Sequence, residues 1–264
     1  MAFQIGARWD DGLGRIYMEL SNPIQATQLY EQQKAFWVTR NQGDDGKISA
    51  EMEAEIIADQ LSEYSGPGFE TTKPILDRAV RLTQERGQTG LSIVEIGAAN
   101  GGTVRHFEKF HPEYGLEFYG MEALPLLAED GAKKYPQHRF QAGTAEDFVE
   151  LTAEDLGRER FDMFLASGVL CMLLPELAFM VLRKASEISD MIVCRDYLAN
   201  KGGEISRKRP VMFELVPGHT HYLFANPYEL MLRSLGFSRI EYIFEESADP
   251  RIRGTASFLA LRSR

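Results

Sequence analysis

Three glycines fall within six residues, Gly97, Gly101 and Gly102, directly after the apolar run Leu91, Ile93, Val94 and Ile96, with Glu95 set inside that run. A near-continuous apolar run is what a strand buried on both faces requires. Glycine has no Cβ, so the backbone can turn sharply there and approach a ligand closely. The helix that opens near Thr103 points its unpaired N–H groups back at the same place. Strand, turn and helix together form a cradle for a nucleotide-like ligand; a glycine-rich turn that binds nothing is the plain alternative. Glu122 follows Gly97 by 25 residues, near the spacing at which a carboxylate accepts from both hydroxyls of a ribose. Its plainer role is to cap the helix that starts beside it. Asp196 ends a strand at the sheet edge that faces a ligand crevice. His219 and His221 share one face if their segment is extended. An imidazole near its reference pKa can take a hydroxyl proton at neutral pH, so these three are the candidate bases, with ordinary loop side chains the alternative for either histidine. The His-x-His pair has no clear third ligand in the sequence, and no metal is expected.

The elements that must position these groups alternate from residue 91 onward. Strands are predicted at Ser92–Ile96, Glu117–Met121, His138–Ala142, Met163–Ala166, Met191–Cys194, Arg239–Glu245 and Thr255–Leu261. Helices are predicted near Ala123–Lys134, Ala145–Leu151, Pro175–Glu187 and Pro227–Leu235. Strand–helix alternation of this kind makes an α/β fold: a doubly wound, mostly parallel sheet with helices on both faces. Residues 1–70 read as a helical cap with no strand pairs, including a helix that Ser49 could cap and that runs through Met52, Ile56, Ile57 and Leu61. Residues 71–264 read as the ligand-binding core.

Four segments in this order, Val94–Gly102, Tyr119–Glu122, Gly143–Phe148 and Phe161–Leu173, resemble the class I, Rossmann-like family of S-adenosylmethionine (SAM)-dependent methyltransferases. The resemblance covers about residues 71–264. It implies a seven-stranded sheet with an antiparallel last strand, and SAM as cofactor. It places Glu95 at the methionine end and Gly97, Ala98, Ala99, Asn100 and Gly101 in the glycine loop. Glu122 goes to the ribose, Thr144, Ala145 and Glu146 to the adenine, and Ser167 and Gly168, with Val169, to the floor of the sulfonium region. Two positions depart from the family's pattern: Ala99 stands where a glycine is usual, and Thr144 where an acid is. The helix-then-glycine ending over residues 224–237 is similar to bacterial small-molecule and sugar O-methyltransferases. The implied reaction is methyl transfer to a hydroxyl of a small molecule, with His219, His221 or Asp196 as base and the helical cap as a lid. Two alternatives stay open: an NAD(P)-dependent oxidoreductase, which Ala99 and the closing strand pair argue against, and a non-catalytic SAM-binding protein.

Bulk properties narrow the partners. The chain has 264 residues, 44% hydrophobic and 26% charged, with a formal net charge of −10. Such an acidic surface repels phosphate backbones, so a small-molecule acceptor is expected and nucleic acid is not. No apolar run is long enough to cross a bilayer and no secretory signal is visible, so no membrane partner and a cytoplasmic location are expected. Cys171 and Cys194 lie in apolar stretches and read as reduced core residues. A homodimer stays open.

Overall fold

The computed structural model describes residues 8–10, 16–18, 27–28, 30–32, 34–35, 49–63, 69–197, 211–214, 222–244 and 255–262. Eleven strands are described among them. They are β1 (Arg8–Asp10), β2 (Ile16–Met18), β3 (Gly90–Ile96), β4 (Gly115–Glu122), β5 (Arg139–Ala142), β6 (Met163–Ser167), β7 (Met191–Tyr197), β8 (Val211–Glu214), β9 (Tyr222–Ala225), β10 (Phe237–Phe244) and β11 (Thr255–Arg262).

Seven of these form one sheet in the order β10-β11-β7-β6-β3-β4-β5. β3 pairs in parallel with both β4 and β6, and β7 in parallel with β6. β11 lies antiparallel between β7 and β10, so the last strand runs against the rest, as expected. The apolar run of β3 divides by the two-residue period of a strand. Val94 and Ile96 enter a core with Phe164, Ala166, Leu182 and Phe258. Leu91 and Ile93 enter the core on the other face with Leu76, Val80, Phe107 and Val193. A strand that is central and covered on both faces has no polar side to show, which is why its sequence does not alternate. Both cysteines are buried and free.

Helix boundaries follow local chemistry. Ser49 Oγ accepts from Met52 N–H at 3.1 Å ahead of the Ala50–Glu63 helix, the cap expected of it. The helix before β3 runs Phe69–Gln84, and the glycine-turn helix runs Gly102–Phe110. The Tyr228–Ser234 helix stops at Leu235, where Gly236 turns the chain at φ +88°, and β10 starts at once.

Residues 1–70 differ from expectation. β1 and β2 are an antiparallel pair, and β2 continues into β8 and β9 to make a second, four-stranded antiparallel sheet. Arg8–Asp10 and Ile16–Met18 therefore share a sheet with Val211–Glu214 and Tyr222–Ala225, and the region is not purely helical. Strands of three residues are too short to show a period, and their partner is remote in sequence. Helical residues do occur in this region, at 27–28, 30–32, 34–35 and 49–63. No helix among the described residues is long and apolar enough to cross a membrane.

Candidate functional site

The chain leaves β3 for β4 and β5 on one side, then crosses to β6 on the other. A crevice opens at the carboxyl ends of the strands where such an order reverses. Here that crevice is a cavity of about 260 Å³, close to the lower end of the usual range for ligand sites, about 300–1,000 Å³. Its walls come from the ends of four strands: Ile96 and Gly97 after β3, Met121 and Glu122 from β4, Gly143 to Glu146 after β5, and Ser167 to Val169 after β6.

The turn after β3 is held tightly. Gly97 has φ +69°, and a Cβ there would stand 2.2 Å from Val169 Cγ2, so glycine is required on both counts. Ala99 adopts φ +46°, a left-handed conformation rare for a residue with a Cβ. This is the position where the family pattern has glycine, so the backbone shape is kept although the residue is not. The Ala99 N–H donates to Glu122 Oε2 at 3.0 Å, and the Leu124 N–H donates to Oε1 at 2.9 Å. Glu122 thus braces two turns and lines the cavity, while the Pro125–Lys134 helix has no side-chain cap. A carboxylate has lone pairs left after two such bonds.

Of the predicted cofactor residues, Gly97, Ala99, Glu122, Thr144, Ala145, Glu146, Ser167 and Gly168 line the cavity. Glu95, Ala98, Asn100 and Gly101 are not among its lining residues. Ala98 packs against Gly120, and its N–H donates to the Met121 carbonyl at 3.1 Å. Asn100 is buried and donates from Nδ2 to Asp130 Oδ2 at 2.9 Å, tying the loop to the Pro125–Lys134 helix. Gly101, at φ +92°, caps the Gly102–Phe110 helix against Tyr135 and Phe140. Glu95 lies fully buried in β3. Neither carboxyl oxygen meets a hydrogen-bond partner among the described residues. Burial pushes its pKa up to about 8; the nearby Thr103 hydroxyl pulls the other way, and the Glu122 charge adds to the rise.

After β5, Thr144 lines the cavity and caps the Ala145–Glu150 helix in a capping box with Asp147. Glu146 accepts from the Tyr30 hydroxyl at 2.9 Å and from the Lys34 ammonium at 2.5 Å. Burial alone would raise its pKa, but Lys34 and Tyr30 hold the carboxyl below its usual range. Tyr30 and Lys34 line the cavity too, and sequence reading missed both. Their four-residue spacing, which puts two side chains on one face of a helix, was the available signal.

Asp196 is buried and is not among the cavity-lining residues. Oδ2 accepts from the Cys171 N–H at 3.0 Å and the Tyr228 hydroxyl at 2.8 Å, and Oδ1 from the Tyr197 N–H at 2.9 Å. Burial raises its pKa to about 6 against the pull of these bonds. Asn226 Nδ2 adds a bond to the Leu170 carbonyl at 3.2 Å. Asp196 and Asn226 therefore anchor the turn Leu170–Met172, whose Met172 and the following Leu173 form part of the cavity wall. The other two candidate bases, His219 and His221, lie outside the described residues.

No protein-family model and no curated protein matches the chain. Solved structures do. Magnesium protoporphyrin IX methyltransferase (ChlM) from Synechocystis PCC 6803 with bound S-adenosylhomocysteine (SAH) aligns with a TM-score of 0.51 and 14% identity, over 90% of this chain and 95% of that one. The same enzyme with bound SAM aligns at 0.50 and 12% identity, over 89% and 97%. The N-terminal domain of EvdMO1, in the presence of SAH and D-fucose, aligns at 0.50 and 18% identity, over 71% and 82%. Likeness at these identities is likeness of fold: the chain has the seven-stranded, Rossmann-like fold of class I methyltransferases.

Proposed function

We propose that this chain is a SAM-dependent methyltransferase that moves a methyl group to a hydroxyl of a small molecule. The observation that carries the reading is the pair of carboxylates at the cradle. Glu122 lines the cavity, and Glu95 is fully buried in β3 with neither oxygen meeting the geometric criteria of a hydrogen bond among the described residues, the Thr103 hydroxyl being the nearby donor. An unpartnered buried carboxyl is costly, and the cationic methionine end of SAM is the kind of group that would relieve it. The glycine floor at Gly97 and Gly168, both with positive φ, lets a ligand lie against bare backbone. The antiparallel β11 favours this reading over the oxidoreductase alternative.

When bound, SAM supplies an already activated methyl group, so the protein must mainly position, exclude water and accept a proton. Glu95 would hold the methionine end, Glu122 the ribose hydroxyls, and the loop Thr144–Glu146 the adenine. Tyr30 and Lys34, fastened to Glu146, close the cavity from the N-terminal helical segment and shield it from solvent. Removing the acceptor proton falls to His219 or His221. EvdMO1 was crystallised in the presence of a sugar, and this reading takes an acceptor of the same hydroxyl-bearing class.

Calorimetric titration with SAH, SAM and NADH tests the reading, with Glu122→Ala alongside. Micromolar binding of SAH and SAM, weakened about tenfold or more by the variant, is expected for the loss of a charge-assisted contact. Binding of neither, or preference for NADH, refutes it.

A further inference from the structure

The Gly102–Phe110 helix follows the glycine turn, and two imidazoles, His106 from its middle and His111 from its C-cap, face Asp77 on the Phe69–Gln84 helix. His111 Nε2 lies 2.9 Å from Asp77 Oδ1, and His106 Nε2 lies 3.8 Å from the same oxygen. One ligand atom from each residue lies within 4.8 Å of the other two. Tetrahedral ligands at zinc bond lengths stand about 3.3 Å apart, so the two measured separations straddle what a bound ion needs. The other carboxyl oxygen, Oδ2, takes the Lys73 ammonium at 2.8 Å. That contact fixes the carboxylate and leaves Oδ1 turned to the imidazoles, the kind of outer support that metal-binding carboxylates use.

We propose that Asp77, His106 and His111 bind a divalent transition-metal ion of the zinc class, at a site separate from the cofactor cavity. Two imidazoles and a carboxylate suit Zn²⁺, with a water in the fourth position. A hydrogen bond between His111 and Asp77 accounts for one imidazole. The second imidazole is fully buried, 3.8 Å from the same oxygen. Both helices pack in one core cluster, through Leu76, Val80, Val104 and Phe107. A bound ion would pin the end of the glycine-turn helix to the helix that precedes β3, bracing the cradle from behind without touching its ligand.

The test uses the whole chain, stripped with EDTA and titrated with ZnCl₂ by calorimetry, with Co²⁺ followed by its visible absorption. One equivalent should bind. His111→Ala and Asp77→Asn should each weaken binding about 100-fold or more, beyond the range set by loss of outer-shell partners. His219→Ala/His221→Ala should leave binding unchanged, which separates this site from the histidine pair. Excess ZnCl₂ should also raise the melting temperature of the unmutated protein, a readout that needs no variant to fold. Absence of an equivalent in the unmutated protein, or affinity unchanged in the His111→Ala and Asp77→Asn variants, overturns the proposal.

Discussion

Glu95→Gln keeps the side chain's shape and removes its charge. In the ligand-free protein burial pushes this carboxyl from its ordinary 4.5 up to about 8. The folded chain therefore holds the proton more tightly than the unfolded chain. The stability that goes with this group is fully present below pH 4.5 and is lost as the pH rises toward 8. At about 1.4 kcal/mol per pH unit, the loss reaches about 5 kcal/mol above pH 8 and roughly 3 kcal/mol at pH 7. Glu95→Gln has no such slope, so its ligand-free form should be the more stable one at pH 7 by about 3 kcal/mol and should match the unmutated protein near pH 5. Urea denaturation followed by circular dichroism at pH 5, 7 and 8.5 reads the difference, and other titrating groups cancel between the two proteins. A second arm tests the ligand. A cationic methionine end over Glu95 favours its ionised form, so SAH binding at pH 7 should release a proton in the unmutated protein and none in the variant. Calorimetry in buffers of different ionisation enthalpy measures this. A stability difference that does not change from pH 5 to 8.5 would refute the reasoning.

Gly97→Ala places a Cβ 2.2 Å from Val169 Cγ2 at a residue with φ +69°. The backbone part alone costs about 1–2 kcal/mol; the variant should melt several degrees lower and lose SAH binding, and adding Val169→Ala should restore only the steric part. Full binding by Gly97→Ala, measured by calorimetry, would mean that the turn is not the cradle. Asp196→Asn sets an amide N–H₂ against either the Cys171 N–H or the Tyr197 N–H, so urea denaturation should show a loss of about 2–3 kcal/mol. Turnover of the folded fraction should stay within about tenfold; a loss of about 10³-fold with stability unchanged would restore Asp196 as the base.

What could be read from sequence was local or lay on one continuous element. The β3 run and its glycine turn were legible because a strand covered on both faces has no alternative composition. Ser49 was legible because a cap acts on the next three residues. Ala99 was legible as a departure, but its left-handed backbone was not, since a residue type does not state its φ. The surroundings of Asp196 were illegible for a similar reason. Its place at a strand end was correct, but the donors that surround it come from the Leu170–Met172 turn and from Tyr228, both distant in sequence. Tyr30 and Lys34 line the cavity where they bond Glu146, more than a hundred residues on, a contact that no local pattern encodes.

The second sheet imposes an order of assembly. Ile16 of β2 lies opposite Glu214 of β8, about 200 residues later in the chain. Closing a free loop of that length costs about 5 kcal/mol of chain entropy, whereas the strands of the large sheet all fall within residues 90–262. During vectorial synthesis at about 5–20 residues per second, β1 and β2 wait on the order of 10–40 s for their partner to emerge. β3, β4 and their glycine turn can assemble in that interval, while β6 and β7 are still being made. The strand pair made first on the ribosome is thus among the last to dock. The segment that carries Tyr30 and Lys34 lies just beyond that pair in the chain, so the same remoteness places these two cavity-lining residues among the late-docking parts of the protein.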